Sequence, residues 1–255
     1  MGVLETKARG KHYYHELEMH DIKRSTELPV EQLNAVFLET SGFHPTNTQA
    51  IERLANEHGR FWYENPPKGT EKRINEILER AKQSGTEIWL GDTAGTSKEH
   101  SLNIAQFLGA AGIRGIIPAI AGATPGISIP LGFLCGLCSP HNLSSYLLSR
   151  KGSANNRSIS RKYATLIGKI APPSRMRDLV MAQKIVKLTR VTGHNKIGIL
   201  TGAGHVGISD ILEKEKALTE KQREKIAARS PDALKMYRCI YDKQAERWRI
   251  EEHSL

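Results

Sequence analysis

The chain has 255 residues with 39% hydrophobic and 25% charged side chains, enough apolar material for one large globular domain and against wholesale disorder. Its net charge of +10 biases it toward anionic partners without fixing a fold. Three cysteines, Cys135, Cys138 and Cys239, exclude a disulfide framework and suit a reducing, cytoplasmic setting.

The first twenty residues contain no apolar run, so no signal peptide is expected, and the opening ten read as polar and loose. Residues 12–19 mix aromatic and charged side chains as a short strand does. Residues 30–35 form a connection with helical leanings. Val36-Phe37-Leu38 is a compact apolar triplet, expected as a buried strand that ends at Glu39. Thr48 is the expected N-cap of a helix carrying Ile51, Leu54 and Ala55 and closing near Gly59. A second amphipathic helix is expected over residues 71–83, with Ile74, Ile77, Leu78 and Ala81 on one face and Gly85 as its stop. Residues 87–92 return to a buried strand that ends at Asp92.

Between Gly115 and Cys138 there is no charged side chain. Twenty-four residues of helix span roughly 36 Å, enough for a bilayer, yet Pro118, Pro125 and Pro130 interrupt any single helix. Residues 104–142 are therefore read as an apolar Gly/Pro-rich insertion, either buried and lid-like or a re-entrant membrane hairpin. The spacing of Cys135 and Cys138 lacks the second pair that a structural zinc needs, and its apolar setting favours inert thiols. Residues 144–190 hold eleven Lys or Arg against one acid, Asp178. Few aromatics interleave with them, so a solvated face or a membrane-surface patch is expected before nucleic acid. Met176, Leu179, Val180, Ile185 and Leu188 in its second half keep helical spacing. Residues 196–201 form a strand running into Gly202-Ala203-Gly204-His205, and a helix begins around Ser209. The stretch from 213 to 255 reads as a charged helical tail.

The order of elements predicts an α/β fold: a central mixed or mostly parallel sheet flanked by helices, with site residues at strand ends. Gly202 and Gly204 let the backbone turn tightly and present His205 at the carboxyl edge of the sheet, where ligands of open α/β sheets bind. An imidazole there binds metal or transfers protons near neutral pH. His20 after the first strand and Glu39 after the second complete a candidate three-ligand site with an open position for water.

His20-Asp-Ile-Lys-Arg-Ser25, Val36-Phe-Leu-Glu39, Met176-Arg177-Asp178 with Met181-Ala182, and Gly202-Ala-Gly-His205-Val-Gly-Ile208 occur in the order seen in the TraB/PrgY family. That family resembles the Tiki proteins and, more distantly, the erythromycin-esterase and ChaN-like fold. The likeness is scattered over residues 12–212 and is densest at 176–208. It implies a metal-dependent hydrolase, peptidase- or esterase-like, in which His20 and His205 hold a divalent metal and Glu39 ligates or acts as base. Arg177 would stabilise a developing negative charge or a carboxylate. Manganese, cobalt or zinc suits such ligands. The first motif departs from the family pattern because Leu17-Glu-Met-His20 has no glycine, which leaves His15 as a substitute for His20. Asp92 falls at the position of the family's acidic strand-end residue. The alternative reading is a non-catalytic regulatory protein that keeps the fold and binds a membrane surface through residues 150–190 or 115–138.

Overall fold

The computed structural model describes residues 3–18, 25–39, 45–62, 68–91, 172–202, 205 and 207–255. Their elements run β1 (Val3–Ala8), β2 (Lys11–Glu18), a 3-10 turn (Val30–Gln32), β3 (Ala35–Leu38), α1 (Thr48–His58), α2 (Lys68–Ser84) and β4 (Glu87–Leu90). Then follow α3 (Pro172–Thr192), β5 (Lys196–Gly202), α4 (Gly207–Glu213), α5 (Glu220–Arg229), a second 3-10 turn (Pro231–Leu234), β6 (Lys235–Asp242) and β7 (Arg247–Ser254).

The strands form one seven-stranded sheet in the order β1-β2-β5-β3-β4-β6-β7. The pairs β2–β5, β5–β3 and β3–β4 are parallel, and an antiparallel hairpin closes each side. The fold is thus α/β with a mixed sheet. Strands covered on both faces read as near-continuous apolar runs, and β3 and β4 are buried throughout, with Glu87 at the start of β4 paired to Arg238. Val36 and Leu38 pack with Ile51, Ile74, Ile77 and Leu78 of α1 and α2. Ala35 and Phe37 pack with Met181, Ile185 and Leu188 of α3 and with Ile208 and Ile211 of α4. The result is three layers, with α1 and α2 on one face and α3 and α4 on the other.

This layering locates a crevice. From β3 the chain leaves toward α1 and α2 and runs outward to β4. From β5 it leaves toward α4 on the opposite face, and α4 lies against β1. Neighbouring parallel strands whose exits diverge open a crevice at their carboxyl ends. Here that crevice lies between Glu39, just after β3, and Gly202, the last residue of β5.

Several sequence expectations need correction. The opening residues are not loose: β1 pairs with β2 across Arg9-Gly10, whose φ angles of 49° and 74° suit a tight two-residue hairpin. The stretch after 213 is not a helical tail. Its helical parts are α5, opened by a capping box between Thr219 and Gln222, and the 3-10 turn after it, while β6 and β7 form a hairpin. Tyr237 and Cys239 on β6 and Trp248 and Ile250 on β7 alternate into the core, which is a period of two rather than 3.6. The N-cap of α1 is Asn47, whose side chain accepts from the Ala50 N–H, and Thr48 is the first helical residue. Gly59 closes that helix in the left-handed region at φ 64°, and α2 ends before Gly85 at φ 82°. The 104–142 insertion lies outside the described residues, as does most of the basic 144–190 stretch. Among the described residues no helix is long and apolar enough to cross a membrane.

Candidate functional site

Strand parity brings the polar residues together. Residue 39 follows Ala35 and Phe37 in facing α3. Thr201 follows Ile197 and Ile199 to that face, and His15 follows Tyr13. At the carboxyl edge this face turns from hydrocarbon to charge.

Glu39 is the hub. Its Oε1 takes the Arg177 Nη2 at 2.7 Å and lies 3.0 Å from His205 Nε2. Its Oε2 accepts the Gly202 N–H at 2.6 Å. The other ring nitrogen of His205, Nδ1, lies 2.5 Å from Asp178 Oδ1. Glu39, Asp178 and His205 are buried, whereas the Arg177 side chain is 23% exposed and is the member that reaches the solvent side. Arg177 and Asp178 are consecutive residues of α3, so one turn of helix delivers a cation to Glu39 and an anion to His205.

Burying isolated charges is costly, but here each meets its opposite. Burial opposes ionisation of Glu39, and the positive charges of His205 and Arg177 with the Gly202 N–H overcome it, holding the carboxyl well below its usual range. Burial likewise opposes charge on His205, and Glu39 and Asp178 outweigh both it and the nearby Arg177, so its pKa rises to about 10. Burial pushes the Asp178 carboxyl up, against the pull of His205 and Arg177. Near neutral pH the centre holds the His205 imidazolium between the Glu39 carboxylate and the Asp178 carboxyl, with the Arg177 guanidinium beside Glu39.

His15 sits in the same layer and is fully buried. Its Nδ1 lies 2.8 Å from Ser209 Oγ and its Nε2 2.7 Å from Thr201 Oγ1. Burial and the charge on His205 lower its pKa to about 3, so it stays neutral and bridges two hydroxyls. It ties β2 to β5 and to the first turn of α4, which follows His205 closely in the chain. Lys184, also buried, donates to the Gly91 carbonyl at the carboxyl end of β4.

Of the residues singled out from the sequence, the structure therefore assembles Glu39, Arg177, His205 and Gly202, and places His15 beside them with both ring nitrogens on hydroxyls. His20, Asp92 and Gly204 lie outside the described residues, and so do Cys135 and Cys138. Among the described residues no group of three His, Cys, Asp or Glu side chains is arranged to hold a metal ion. Sequence reasoning gave no role to Asp178, Thr201, Ser209 or Lys184. One signal was available for Asp178: it is the lone acid in the basic stretch from 144 to 190. Compared with protein-family models, curated proteins and solved structures, the chain matches none.

Proposed function

We propose that the chain is a hydrolase of the TraB/Tiki type, acting on a peptide or ester, with its reaction centre at the Glu39–His205 pair and a divalent metal as its cofactor. The observation that carries this reading is the convergence of a carboxylate, an imidazole and a guanidinium from three elements at the crevice between β3 and β5. Such convergence at the carboxyl edge is what acyl-transfer chemistry needs.

The donor types of Glu39 and His205 suit two ligands of a manganese, cobalt or zinc ion, provided the ion displaces the proton that His205 Nε2 shares with Glu39. Glu39 Oε1 and His205 Nε2 face each other 3.0 Å apart, and a carboxylate backs the other ring nitrogen, the usual support of a metal-binding histidine. A third ligand has to come from outside the described residues, and His20 is the candidate from the sequence. When bound, the ion supplies a water that ionises near neutral pH and polarises the scissile carbonyl. The chain's own residues do the rest. Glu39, fixed by the Gly202 N–H, stays ionised and offers its carboxylate as a ligand. Arg177, the most exposed of the group, faces negative charge that develops on the substrate.

The same charge balance favours a second reading. A self-compensated ion network also suits a non-catalytic protein that keeps the fold and binds anionic surfaces through its basic segment. Metal content separates the two. Elemental analysis is expected to find stoichiometric metal in the wild type and none in His205→Ala or Glu39→Ala, with peptide or ester hydrolysis lost in both. A wild type that holds no manganese, cobalt or zinc after incubation with each overturns the hydrolase reading.

A further inference from the structure

We infer that Asp178 is the positioning residue of this centre: its carboxylate holds the His205 ring by Nδ1, so that Nε2 is the nitrogen turned to Glu39, and residue 207 is glycine because that carboxylate fills the space a side chain would need.

Three observations carry the inference. Asp178 Oδ1 sits 2.5 Å from His205 Nδ1, with both side chains buried. A ring held at both nitrogens by fixed acceptors cannot rotate, and the acceptor on one nitrogen decides which one faces the reaction centre. The second carboxylate oxygen, Oδ2, is aimed at Gly207, where a Cβ would collide with it. Gly207 has no positive φ to explain it, so space is the reason for glycine. The motif Gly202-Ala-Gly-His205-Val-Gly207 thus records the Asp178 carboxylate in its last glycine. The third observation is charge. Asp178 is the lone acid among eleven basic residues between 144 and 190, and it is buried, where its charge needs the partner that His205 provides.

The orientation of His205 stands on this geometry alone, and its consequence for the ion rests on the hydrolase reading. Two variants test it, Asp178→Asn and Gly207→Ala, each compared with wild type by proton NMR and by calorimetric titration with manganese and zinc. The wild type is expected to show a far-downfield imidazole N–H resonance, assigned to His205 by its absence in His205→Gln. Both variants are expected to lose or shift that resonance, and to bind the ions about 10- to 100-fold more weakly, the usual effect of removing a carboxylate behind a metal-binding histidine. Alanine is the better helix former, so a purely local effect of Gly207→Ala on α4 would favour the helix and leave the resonance in place. An unchanged resonance in the folded variants overturns the inference. A wild type that shows the resonance but binds no metal leaves Asp178 in its role and removes the hydrolase reading instead.

Discussion

Among the described residues Glu39 meets Arg177, His205 and the Gly202 N–H with two oxygens, so its removal disturbs more than one group. In Glu39→Gln the Arg177 guanidinium and the His205 imidazolium lose their shared counter-charge, while size and shape are kept. Breaking one partner out of a buried ion pair costs about 3–5 kcal/mol, and Arg177 lowers that figure because it reaches solvent. Urea denaturation at pH 7 is expected to show Glu39→Gln destabilised by about 3 kcal/mol. The loss should shrink above pH 10, where His205 no longer carries its charge in the wild type. A variant as stable as wild type at pH 7 would mean that the network contributes nothing. Glu39 and His205 were legible in the sequence because Glu39 ends an apolar run and His205 follows the glycine turn after another, and a polar residue at such a point lands on the sheet's edge. Asp178 was not legible as a partner. It meets His205 only once α3 lies on the sheet, and helical spacing sets a face without naming what the face touches.

At the scale of elements, strands covered by helices on both sides announced themselves. Val36-Phe37-Leu38 and Ile88-Trp89-Leu90 have no polar interruption because both their faces are in the core. The flanking strands were obscured because half of each faces water. β7 reads Arg247-Trp-Arg-Ile-Glu-Glu-His-Ser254, and its exposed Arg247 and Arg249 alternate with buried Trp248 and Ile250. Two side chains anchor that hairpin. Trp248 packs edge-on to Phe61 at 5.0 Å and to Tyr241 at 5.2 Å between ring centroids. Arg238 bridges Glu87 of β4 and Glu251 of β7, and His194 stacks on Trp89 and meets Glu87 at 3.0 Å. Trp248→Ala is expected to cost about 3–5 kcal/mol, the usual loss for a large buried aromatic, as measured by urea denaturation. Trp248 packs on the α1 and α2 face, opposite α3 and α4. The downfield resonance of His205 should therefore survive in the folded variant, and its loss there would show that the hairpin supports the site.

For the whole molecule, two buried histidines with opposite shifts give stability a maximum in pH. In an unfolded chain both titrate near 6.5. His15 in the native state resists protonation down to about pH 3. Through the window from 6.5 down to about 3 the unfolded chain therefore binds a proton that the native chain refuses, and stability falls as pH drops. His205 in the native state keeps its proton up to about pH 10. Between 6.5 and about 10 the unfolded chain has released a proton that the native chain still holds, so stability falls as pH rises. Each histidine contributes about 1.4 kcal/mol per pH unit within its window. Below the ordinary carboxylate range Glu39 and Glu87, both depressed in the native state, steepen the acid limb. Above the thiol range the buried Cys239, whose pKa burial raises, steepens the alkaline one. Urea unfolding at pH 5, 6.5 and 8.5 is expected to give the highest free energy at 6.5, about 2 kcal/mol above pH 5 and between about 2 and 3 kcal/mol above pH 8.5. His15→Gln keeps a hydrogen-bonding side chain and removes the proton, so it should flatten the acid limb between pH 6.5 and 5 and leave the alkaline one. Replacing His205 should do the reverse. A wild-type profile that is level from pH 5 to 8.5 would mean that neither ring is buried in the charge state assigned to it, and the ion network would have to be redrawn from His205 outward.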